Sequence, residues 1–81
     1  MTNTIVVLTS GFVFVGECSP PKNGWLEVTN TYNIRQYGTT KGLGQLAVEG
    51  IQPSTVLDQV GVLRAPISSV VCLIEAPKIK L

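Results

Sequence analysis

Apolar residues come along this chain in short runs set off by turn residues, and several runs are apolar at consecutive positions. Thr4 to Leu8 is β-branched and apolar, Thr9-Ser10-Gly11 supplies a tight reversal, and Phe12 to Cys18 follows as "FVFVGEC". The pair predicts a hairpin. Successive side chains of a strand point to opposite faces, so Phe12 and Phe14 cover one face while Val13 and Val15 cover the other. Gly16 marks a sharp bend or the close approach of a neighbouring backbone.

In "SPPKNG", Pro20-Pro21 cannot sit in a paired strand and Asn23-Gly24 can take the positive φ angles of a reversal. Trp25 to Gln36 then alternates well enough for one long strand that bends midway, with Leu26, Val28 and later Ile34 facing inward. Two strands close the chain, Thr55 to Arg64 and Ser68 to Glu75, with a tight turn at Ala65-Pro66 between them. Val56, Val60 and Val62 are expected on one face and Leu57 and Leu63 on the other, while Val70 to Ile74 is apolar on both. Residues 76–81, "APKIKL", read as a short basic tail that frays.

Residues 37–54, "YGTTKGLGQLAVEGIQPS", break the strand pattern and hold four of the eight glycines. Leu43, Leu46 and Ala47 fall at helical spacing and Thr40 could cap a helix, but Gly42 and Gly44 each weaken one by about 1 kcal/mol relative to Ala. An ordered, glycine-rich connection with one or two helical turns is the expectation. The stretch lacks both the Gly-Lys-Ser/Thr ending and the G-x-G-x-x-G spacing of phosphate-binding loops, so a flexible connection is preferred to a phosphate cradle.

Five strands in 81 residues make a single all-β domain, 1–81, with too little helix to cover a flat sheet. Curling into a small barrel hides one face of each strand; the other needs the 37–54 connection or a second copy of the chain. Strand edges with apolar flanks aggregate unless a specific partner takes them, and head-to-tail edge pairing closes into a ring when the rotation permits. The residues expected at such a subunit interface are Val56, Val60, Val62, Val70, Cys72 and Ile74.

Composition narrows the functions. Charged residues are 14% of the chain, against roughly 25% in an ordinary soluble domain, so something other than charge covers part of the surface. The net charge of +1 comes without a basic block, which argues against salt-driven binding of nucleic acid by one isolated copy. There is no histidine, one aspartate, and no spacing that pairs a nucleophile with a base, so the reading is non-enzymatic, with no cofactor and no small-molecule substrate. Cys18 and Cys72 form no C-x-x-C pair and are expected to be reduced and buried, without a metal. The start of the chain lacks a basic, apolar leader and no run is long enough to span a bilayer, so no membrane partner is expected and a cytoplasmic location is the default.

"VVLTSGFVFVGEC" and "GWLEVTN", with Asn30 at the acidic or amide position that ends the motif, resemble the first motif of the Sm-like (LSm) family, and "GVLRAPISSVVCLIE" is similar to its second. The resemblance covers about two-thirds of the chain and leaves residues 37–54 unmatched. It implies a strongly bent five-stranded antiparallel Sm-like barrel whose fourth strand pairs with the fifth strand of the next subunit, giving a homo-oligomeric ring. Short, divergent members occur in bacteriophages, and a phage protein of the host cytoplasm is the source it suggests. The family binds RNA at the pore where the loop before the third strand meets the turn before the fifth, which here means Lys22, Asn23, Trp25 and Arg64. The family's base-holding Asn falls at or beside Trp25, and its Arg-Gly at or beside Pro66-Ile67, so both RNA-reading positions are altered. Trp25 either stacks on a base or packs at the barrel mouth. Two functions follow: a structural or interaction ring that has lost RNA reading, or a ring that engages single-stranded RNA.

Overall fold

In the computed structural model, which describes residues 2–81, the apolar runs become five strands: β1 (Thr4–Leu8), β2 (Val13–Cys18), β3 (Trp25–Gln36), β4 (Val56–Pro66) and β5 (Val70–Glu75). One short helix, α1 (Leu43–Glu49), lies between β3 and β4, and a 3₁₀ turn at Ile67–Ser69 joins β4 to β5. The strands form one antiparallel sheet in the order β4-β3-β2-β1-β5.

The sheet is strongly curled, and the register proves it. Val6 stands opposite Phe14, and Phe14 opposite Asn33, yet Val6 shares a buried cluster with Leu26 and Val28. Val28 lies five residues before Asn33 on β3, about 16 Å along a straight strand, so the two ends meet only because β3 bends. Asn30, at φ 50°, and Gly61, at φ 99°, make the bend where the β3–β4 register shifts. The Thr31 hydroxyl donates to the Val28 carbonyl at 2.9 Å, satisfying a buried group that the bend takes out of the ladder.

A second apolar cluster lies on the other face. Ile5, Val13, Val15 and Ile34 from the sheet meet Leu46 and Ala47 of α1 and Ala76 and Ile79 of the C-terminal segment. The chain therefore covers much of the two-faced strands by itself: α1 and residues 76–81 act as the lid, where the strand pattern made a neighbouring copy the simplest cover.

Several expectations are corrected. Residues 76–81 are not frayed: Ala76 N–H donates to the Asn3 carbonyl at 2.9 Å, Asn3 Nδ2 donates to the Ile79 carbonyl at 2.8 Å, and Ile79 is buried. β4 runs through Ala65-Pro66, because a proline at the end of an edge strand needs no ladder N–H, and the turn falls at Ile67–Ser69. Leu57 and Leu63 do not share a face; the Gly61 bend sends Leu57 to the α1 cluster and Leu63 to the Val6 cluster. Cys72 is exposed and only Cys18 is half-buried, because β5 is an edge strand; neither forms a disulfide. Thr40 does not cap α1, whose N-cap is Gly42. Instead the Gln45 side-chain oxygen accepts from the N–H groups of Thr40 and Lys41 at 3.1 and 2.8 Å.

Candidate functional site: a depression beside Trp25 and two open strand edges

Asn23 and Gly24, both at positive φ, form a two-residue reversal that sets Lys22 and Trp25 side by side, with Lys22 N–H donating to the Trp25 carbonyl at 2.9 Å and Trp25 N–H to the Lys22 carbonyl at 3.0 Å. Ile67 N–H donates to the Gly24 carbonyl at 2.8 Å and Trp25 pairs with Pro66, so the β2–β3 loop and the end of β4 meet. Between them lies an open depression of about 560 Å³ lined by Ser19, Pro20, Lys22, Asn23, Trp25, Glu27 and Arg64. All four residues that the family resemblance implies for RNA, Lys22, Asn23, Trp25 and Arg64, are thus brought together.

The depression is chemically mixed. Trp25 is 50% exposed and offers a flat apolar face. Lys22 and Arg64 supply positive charge and Asn23 an amide, while Glu27, directly opposite Arg64 in the β3–β4 register, accepts a hydrogen bond from Arg64 Nε at 3.1 Å. Sequence reading missed Glu27, because the long connection between β3 and β4 leaves their register open.

The expected interface residues are spread more widely. Val60 and Val62 are exposed on β4 and Val56 is half-buried. On β5, Cys72 is exposed, but Val70 packs against the Val6 cluster and Ile74 against the α1 cluster. A register shift between Val7 and Leu8 splits the β5 alternation, so that Val70 and Ile74 go to different clusters; the exposed Val71 and Leu73 stand at 60% and 47%. No residue pattern announces that bulge.

β4 and β5 are the terminal strands of the sheet, each paired on one side only. Every neighbouring pair is antiparallel, so β4 and β5 run in the same sense around the curl, and closing the sheet would make them parallel neighbours. Parallel neighbours need a crossover of about a dozen residues or more, whereas three residues join these two strands. The edges cannot close on each other within one chain.

Of the titratable groups with altered affinity, Asp58 and Arg35 form a two-pronged ion pair between β3 and β4, both bonds at 2.7 Å, which lowers the Asp58 pKa and raises that of Arg35. The Asn30 amide, donating to Glu17 Oε2 at 2.6 Å, lowers that carboxyl. Burial pushes the Cys18 thiol up, partly offset by a hydrogen bond with the Thr4 side chain. No group of three or more potential metal-ligating side chains occurs among the described residues, and no helix among them is long and apolar enough to cross a membrane. Comparison with family models, with curated proteins and with solved structures finds no match for the chain.

Proposed function

We propose that this chain is a non-enzymatic, ring-forming protein of the Sm-like kind, a structural or interaction module whose copies pair head to tail through β4 and β5. The observation that carries the reading is the pair of open edges, flanked by exposed Val60 and Val62 on one side and Val71 and Leu73 on the other. β5 has no Lys or Pro between Val70 and Ile74 to discourage strand addition, and the β4 charges Asp58 and Arg64 are each engaged by a partner on β3. A contact between two different edges is heterologous, and it ends in a ring when the rotations sum to a full turn. The strand order and the midway bend of β3 agree with what the Sm-like resemblance implies and support the same reading. Amide hydrogen exchange tests it: β4 and β5 should gain protection as concentration rises, while β2, paired on both sides, should not change.

A second reading, RNA binding at the pore, is favoured by the convergence of Lys22, Asn23, Trp25 and Arg64 on one depression. An exposed indole beside two cations suits single-stranded RNA, whose bases stack for about 1–3 kcal/mol each with little sequence preference. Fluorescence anisotropy with a labelled single-stranded RNA at low salt is the test.

A further inference from the structure

The depression contains a residue that works against an anionic ligand. Glu27 is half-exposed, lies directly across from Arg64, and holds Arg64 Nε at 3.1 Å. Among the described residues this is the only side-chain hydrogen bond Arg64 makes, and Lys22 has none. Of the three charged groups lining the depression, one thus cancels another, and Lys22 is left as the uncompensated cation beside Trp25.

We infer that Glu27 is an affinity-setting residue of the depression: by engaging Arg64 Nε and offsetting its charge it weakens phosphate contact at Arg64 and leaves Lys22 and stacking on Trp25 as the main sources of binding. The inference rests on the reading of the depression as a single-stranded RNA site and names what regulates it. A ligand phosphate and the Glu27 carboxylate compete for the same guanidinium, which makes that cation the weaker phosphate site. Exposed ion pairs are weak, so the brake is soft: releasing Arg64 should raise affinity by up to about fivefold. One further phosphate contact should also steepen the dependence of log affinity on log salt by about 0.7. A pair that merely links two strands would leave the salt slope where it is.

The experiment is anisotropy of a labelled single-stranded RNA of mixed sequence, titrated with the full-length protein over a range of KCl concentrations. The proteins are the wild type, Glu27→Gln, the double variant Glu27→Gln with Arg64→Gln, and Trp25→Ala, each checked for fold by circular dichroism and for assembly by light scattering. Glu27→Gln should bind more tightly with a steeper salt slope, the double variant should lose both gains, and Trp25→Ala should weaken binding at every salt concentration with the slope unchanged. Wild-type affinity and slope in Glu27→Gln, beside measurable wild-type binding, would overturn the inference and leave the RNA reading standing. A gain that survives in the double variant would also overturn it, because the effect would not pass through Arg64. No binding by wild type or Glu27→Gln at the lowest salt would remove the RNA reading itself, and binding by Trp25→Ala equal to wild type would move the RNA away from this depression.

Discussion

Leu57 and Leu63 lie on one strand at positions of the same alternation, yet Leu57 packs with the α1 cluster and Leu63 with the Val6 cluster. The switch falls at Gly61, whose φ of 99° is closed to ordinary L side chains although nothing lies within 4 Å of where a Cβ would stand. Gly61→Ala should therefore destabilise through the backbone alone, by about 1–3 kcal/mol in urea denaturation. A neutral result would mean that the β4 bend does not depend on this glycine.

The lid formed by α1 and the C-terminal segment should matter as much as the sheet. Leu46 and Ile79 are buried in one cluster. Replacing either with Ala should cost about 2–5 kcal/mol, with the double variant departing from the sum because the two share surroundings. If Ile79→Ala unfolds at the wild-type urea midpoint, the segment is not anchored as described.

The Arg35–Asp58 pair sets a pH dependence. Its folded Asp58 carboxyl titrates below the ordinary value of 3.8, so its contribution is present above about pH 4 and is lost as pH falls through the lower folded value. Thermal melts should show the midpoint falling over that acidic window, and Asp58→Asn should flatten the fall. An identical profile in the variant would mean that the pair adds nothing to stability.

Turn chemistry was legible because it is local. Asn23-Gly24 adopts the positive φ angles that its side chains permit, and the midway bend of β3 follows from a run too long for one straight strand. The convergence of Lys22, Asn23, Trp25 and Arg64 was legible only through the resemblance, since nothing in the spacing brings Arg64 to Trp25. What escaped depends on partners distant in sequence. The bulge between Val7 and Leu8 sends Val70 and Ile74 to different clusters, the β3–β4 register puts Glu27 opposite Arg64, and Ile79 is buried between two lysines because the far side of the sheet is there to receive it. α1 likewise persists despite Gly44 because Leu46 and Ala47 pack, tertiary burial outweighing intrinsic preference.

The two cysteines report on separate surroundings. Cys72 is exposed on the β5 edge, while the half-buried Cys18 thiol is pushed up by desolvation and so is less often the reactive thiolate. In dilute protein, iodoacetamide should label Cys72 well before Cys18. At concentrations that favour assembly, Cys72 labelling should slow while Cys18 stays as it was. A Cys72 rate independent of concentration would place β5 outside any contact between copies.

Mass in solution decides whether the β4 and β5 edges of one chain are completed by other copies. Size-exclusion chromatography with light scattering at micromolar concentration should give a single closed multiple of the 8.7 kDa chain. Leu73→Lys, which puts charge on the β5 edge, should shift it toward one chain while keeping the fold. A wild-type particle of 8.7 kDa, stable and soluble across that range, would mean that no second copy completes those edges.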